Sequence, residues 1–299
     1  MLAKYWAVMA GRKAVKQLVP ILHRPRSLTG LWGWKTWSGS GWRYRELAFL
    51  VTIILLIALT EYIFAYQNVS YGIGMALLLA VGLYTLSSLA PVSPGLARCL
   101  DSLTLVPLYI LFTASLPWFF LDQQILLPAV YSIILALCLW HLQSRGFTLS
   151  SLGDLGLRAD GLGRYLALGI LWGVPLGMTE YFVLQPAPES AHLELGNLAR
   201  DILYMAAFVG LGEELLFRGI IQRDIEEVYG WKSGLLLSSL LFGIMHLTWR
   251  SAPEVGFTFL AGMVLGYVYF RTRSLVGPIA IHAVNNVMLV SIMPYVLAR

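Results

Sequence analysis

The chain has 299 residues, of which 58% are hydrophobic and 12% charged, with a mean hydropathy of +0.71 and a formal charge of +5. A soluble domain carries charge on about a quarter of its residues. These values therefore exclude an ordinary water-soluble enzyme and make lipid the solvent around most of the chain. The cysteines, Cys99 and Cys138, are far apart and have no histidine at ligand spacing, which argues against a disulfide framework or a zinc knuckle. Burial as small apolar side chains suits both.

Residues 1–46 form a first segment. It holds nine cations (Lys4, Arg12, Lys13, Lys16, Arg24, Arg26, Lys35, Arg43, Arg45) and no acidic residue before Glu46. Trp6, Trp32, Trp34, Trp37 and Trp42 are interleaved among them. Cations beside amphipathic rings suit an anionic membrane surface. An unstructured cytoplasmic tail and an organelle transit peptide are the alternative readings.

Apolar runs near the ~20 residues that span hydrocarbon follow. They predict helices over 47–66, 72–90, 103–121, 124–143, 163–184, 200–222, 233–250, 255–271 and 275–297. Pro91, Pro94, Pro186 and Pro253 are expected in connections, and Pro107, Pro117 and Pro128 interrupt the pair at 103–143. The expected fold class is all-α, a polytopic transmembrane bundle of about eight or nine spans. Residues 47–145 would supply N-terminal helices and 146–299 the domain that carries the chemistry.

Cation placement orients these spans. With a cytoplasmic N-terminus, seventeen of the Lys and Arg residues fall on inside segments and three (Arg200, Arg250, Arg299) on outside ones. That asymmetry predicts N-in, with the C-terminus outside after nine spans. The positive charge thus follows topology and calls for no nucleic-acid partner. Gly169, Gly173 and Gly177, and again Gly262 and Gly266, recur at four-residue spacing and predict close helix contact.

Ionisable groups inside a bilayer are costly, so each is a candidate site. The last third concentrates them: Glu213, Glu214 and Arg218 in 200–222, Phe242 and His246 in 233–250, and His282 and Asn286 in 275–297. Glu214 and Arg218 are four apart and can pair on one helix face. Glu213 is turned about 100° from Glu214, so its expected partners are His246 or His282. Counted from the nearest cytoplasmic cation at about 1.5 Å per residue, Glu213, His246 and His282 lie roughly 15, 21 and 13 Å deep. Three helices thus bring polar groups to one level. Glu61 and Glu180 lie near predicted helix ends, where an interfacial position is the ordinary expectation.

The ordered motifs EExxxR, FxxxH and HxxxN, read here as Glu213-Glu214 to Arg218, Phe242 to His246 and His282 to Asn286, resemble the CPBP family of CAAX proteases and bacteriocin-processing enzymes. The resemblance covers about 195–295, with a leader-like stretch at Ser151–Arg158. It implies an intramembrane endopeptidase without a metal cofactor. Glu213 would deprotonate water, and His246 would help hold that water. His282 and Asn286 would donate to the oxyanion. Glu214, Arg218 and Phe242 would be supporting residues.

No GxSx, GxGD-like or HExxH motif suits the serine, aspartyl or HExxH zinc types. A zinc ion on Glu213, His246 and His282 stays open as an alternative. A non-catalytic scaffold or immunity protein of the same fold and a proton-coupled transporter are the rival functions. Expected partners are membrane lipid and a peptide or protein substrate, prenylated in one substrate class. A bacterial inner membrane is the expected location, with an organelle membrane as the alternative.

Overall fold

The computed structural model describes residues 40–116, 123–148, 153–157, 161–190 and 192–297. The basic Trp-rich segment up to residue 39, the end of the helix expected at 103–121, and Ser151, Leu152 and Arg158 of the leader lie outside them. Every regular element among the described residues is helical. The elements are α1 (Ser40–Tyr62), α2 (Val69–Leu89), α3 (Pro94–Leu103), α4 (Leu105–Ala114), α5 (Gln123–Ser144) and α6 (Leu162–Leu184). They continue with α7 (Leu195–Tyr204), α8 (Leu211–Glu214), α9 (Arg223–Tyr229), α10 (Trp231–Ile244), α11 (Ala252–Thr272), α12 (Val276–Val287) and α13 (Met293–Leu297).

Seven helices among the described residues are long and apolar enough to cross a membrane. They run over Arg43–Gln67, Val69–Leu89, Pro94–Ala114, Gln124–Ser144, Leu162–Leu184, Ala252–Thr272 and Val276–Leu297. The chain is an integral membrane protein with an all-α polytopic fold. The two other expected spans carry the charged motifs. One is the continuous helical run 195–229, in which π-helical segments Met205–Gly210 and Leu215–Gln222 flank α8. The other, α10, has 14 residues, about 21 Å.

Boundary signals explain where the expected elements shift. Pro94 and Pro253 lie in first turns rather than in connections. Proline has no N–H to leave unpaired there. Ser93 and Ser251 cap those helices by accepting from Leu96 N (3.1 Å) and Glu254 N (3.3 Å). The third span therefore begins at 94 and not at 103. The helix expected over 233–250 stops at Ile244, and a 3₁₀ turn at Leu247–Trp249 leads to Arg250, whose φ is 55°. His246 thus sits on a helix end.

In lipid, helices associate through close packing rather than through exclusion of water. The glycine stripe of α6 provides it. A Cβ on Gly169 would lie 3.0 Å from Ala280 Cβ, one on Gly173 would lie 2.6 Å from the Ile281 carbonyl, and one on Gly177 would strike the Asn285 carbonyl. The stripe seats α6 against the helix that carries His282 and Asn286. The leader fixes the start of that same helix. Gly156, at φ 80°, accepts through its carbonyl from Leu275 N (3.1 Å) and Ser274 Oγ (2.9 Å). A side chain there would meet Ser274 at 2.6 Å.

One apolar cluster joins Leu100, Leu103, Val106 and Ile134 to Leu216, Ile220 and Ile221. The N-terminal helices are thereby packed directly on the motif-bearing run. An ionic clasp supports the contact at one end: Arg145 donates to Asp224 (2.5 Å) and Asp101 (3.1 Å), and Ser102 donates to Asp224. Burial pushes the Asp224 carboxyl above the usual range, against the pull of Arg145.

Gly173→Leu is expected to destabilise the fold by about 1–3 kcal/mol or more through overpacking. Gly74→Leu on α2, with no atom within 4 Å of its Cβ position, is expected to leave stability near wild type. Thermal unfolding of the two variants in detergent checks this. Equal stability would contradict the close α6–α12 contact.

Candidate active site

Glu213 and Glu214 occupy α8, the one α-helical turn between the two π-helical segments. Such segments re-aim side chains and recur at functional sites. Glu214 is 0% exposed, and its Oε1 accepts from Arg218 Nη1 at 2.8 Å and from His282 Nδ1 at 2.8 Å. Arg218, 1% exposed, also donates to the Gly262 carbonyl (3.3 Å) and lies 4.5 Å over the Phe242 ring. The glycine at 262 lets α11 come close enough for its backbone to accept that bond.

Glu213 faces a different way. Its Oε1 accepts from the Tyr131 hydroxyl at 3.0 Å. Its Oε2 has no hydrogen-bond partner and lies 3.7 Å from His282 Nε2. His282 thus stands between the two carboxylates, touching Glu214 through one ring nitrogen and approaching Glu213 with the other. His246 Nδ1 is 2.8 Å from the Phe242 carbonyl. A carbonyl only accepts, so Nδ1 carries the hydrogen, and in the neutral ring Nε2 keeps its lone pair. Phe242 packs edge-on to Phe217 (5.1 Å) and His282 (5.8 Å) and tilts over His246 (4.9 Å).

Glu213, His246, His282 and Asn286 line one cavity of about 180 Å³, together with Phe242 and Tyr131. The residues singled out in the sequence therefore converge, with Glu214 and Arg218 behind the wall. Asn286 Oδ1 accepts from Asn285 Nδ2 (3.1 Å), which leaves its own amide nitrogen to donate elsewhere. The geometry adds a condition to the expected role of His282. Its Nδ1 is committed to Glu214, so any bond to an oxyanion must come from Nε2, which requires hydrogens on both nitrogens.

Sequence reasoning did not bring Glu180, Asn285 or Tyr131 to this cavity. Glu180 and Glu61, expected near helix ends, are packed inside the protein at 5% and 2% exposure. Glu180 lines the cavity and accepts from Asn285. Asn285, the neighbour of a motif residue, was findable as the only other amide in its turn. Tyr131 carried no signal, being one tyrosine of 15 in an apolar run. Among the described residues, no three His, Cys, Asp or Glu side chains converge as a metal site.

A helical membrane protein with buried glutamate, arginine and histidine side chains converging on one cavity defines the class. Residues 196–288 match the Rce1-like family, described as type II CAAX prenyl endopeptidase. This segment is therefore similar to a family of CAAX proteases, whose general function is peptidase activity. No curated protein and no solved structure matches the chain.

Arg218→Met would leave Glu214 buried beside an incomplete set of donors. It is expected to cost about 3–5 kcal/mol of stability. Arg98→Met, which breaks a half-exposed pair with Glu227, is expected to cost about 1 kcal/mol or less. Thermal unfolding of both variants tests the contrast, and equal losses would contradict it.

Proposed function

We propose that this protein hydrolyses a peptide bond of a membrane-associated substrate, with Glu213 as general base. The carrying observation is the Glu213 carboxylate itself. Tyr131 donates to one oxygen, the other is buried without a hydrogen-bond partner, and the residue lines a cavity shared with His246, His282 and Asn286.

In this reading a water enters between Glu213 Oε2 and His246 Nε2. Its oxygen bonds to the scissile carbonyl carbon while its proton passes to Glu213. The Asn286 amide and His282 Nε2–H stabilise the oxyanion that forms. Collapse breaks the C–N bond, and Glu213 returns the proton to the departing amine. Arg218 and Glu214 hold the helix turn that presents Glu213, and His282 is steadied by Glu214. No step is assigned to a metal. The substrate class suggested by the family description is a prenylated CAAX protein, with bacterial peptides as the alternative. The cation asymmetry supports a cytoplasmic N-terminus and hence an active site that draws water from the cytoplasmic side.

Purified protein incubated with fluorogenic peptides, farnesylated CAAX peptides among them, tests this. Glu213→Gln is expected to lower kcat by about 10²–10⁴-fold, and chelator is expected to leave the wild-type rate unchanged. Cleavage that survives Glu213→Gln would refute the base assignment. Loss with chelator and recovery with zinc would instead assign Glu213, His246 and His282 as metal ligands.

A further inference from the structure

Glu213 and His246 border two cavities. The first is the 180 Å³ cavity already described. The second, of about 90 Å³, is lined by Val106 and Tyr109 of α4, Ile134 of α5, and Thr248 in the turn after His246. Tyr131, Glu213, His246 and Trp249 belong to both walls and form the partition. The smaller cavity has room for several ordered waters. The titratable groups on it are Glu213, His246, Tyr109 and Tyr131, and the two tyrosines come from helices outside the family-matched segment.

A partition of this kind addresses a difficulty built into hydrolysis within lipid. An apolar substrate that fills the larger cavity displaces water from the side on which its carbonyl arrives. A reservoir on the opposite side of the base keeps a water available after the substrate has bound. Oε2 is the oxygen with the greater free capacity to accept from a water, because Oε1 already accepts from the Tyr131 hydroxyl while Oε2 has no partner. Tyr131 thereby favours Oε2 as the oxygen that receives the proton.

We propose that the 90 Å³ cavity is the water compartment of the active site, and that Tyr131 is a positioning residue holding Glu213 at the opening between the two cavities. The proposal rests on the assignment of Glu213 as general base. It adds to the site a contribution from the N-terminal helices: they supply the water chamber and the hydroxyl that orients the base.

The test uses the full-length protein in the peptide assay, with thermal unfolding as a check that each variant folds. Tyr131→Phe removes only the hydroxyl. Thr248→Phe fills the chamber from an exposed position. Both are expected to lower kcat by about 10- to 100-fold, as misplacement of reacting groups by about 1 Å does, while KM stays within about twofold. Wild-type kcat in both variants, or a loss carried by KM, overturns the proposal even where Glu213→Gln is inactive. Retained activity in Glu213→Gln instead removes the reading on which it rests. A high-resolution experimental density map gives a readout without substrate. Ordered water in the chamber within hydrogen-bond reach of Glu213 Oε2 is the expected result, and a dry chamber overturns the proposal.

Discussion

A fully buried carboxylate needs donors, and the site is built around meeting that need for Glu214. Burial of an unpaired charge costs several kcal/mol, and removal of one partner of a buried pair is strongly destabilising. Arg218 meets the carboxylate from one turn along the same run, and His282 meets it from α12. These bonds dictate the rest. Arg218 needs a backbone acceptor, which requires α11 to approach at Gly262. His282 needs α12 at a fixed height, which the glycine stripe of α6 and the Gly156 turn provide. Glu213 is then presented on a framework that its neighbour has already fixed.

The two adjacent glutamates have divided roles because they have different surroundings. Glu214 takes two donors, Arg218 and His282, both on Oε1, while its Oε2 has no hydrogen-bond partner. Glu213 has one neutral donor, Tyr131, on Oε1 and an unpartnered buried Oε2. The π-helical segments on either side of α8 place this turn between two stretches of altered register, which lets adjacent residues face a cavity and a wall.

Much of this was legible in the sequence, for reasons specific to membranes. A shortage of charge announces the spans, and the few ionisable groups left in them announce the site. Glu213, His246 and His282 stood out because nothing bland explains three such groups on three helices. The pairing of Glu214 with Arg218 followed from helical spacing alone. Contacts that cross between distant parts of the chain were not legible. Tyr131 lies 82 positions from Glu213, and a tyrosine in an apolar run looks like packing. Glu180 sat near an expected helix end, and only the packing of α6 on α12 shows that it is buried against Asn285. Helix ends were misplaced where a proline opened a helix instead of breaking it, as at Pro94 and Pro253, and where α10 stopped short to set His246 on its end.

The most direct test of the central claim follows the oxygen atom. A single turnover of a cleavable peptide in water enriched in heavy oxygen distinguishes a base from a nucleophile. If Glu213 only deprotonates water, the label enters the new carboxylate of the product, and the peptide fragment containing Glu213 keeps its ordinary mass. Heavy oxygen found in Glu213 after one turnover would mean that its carboxylate had attacked the substrate and been released by water. That result would contradict the account.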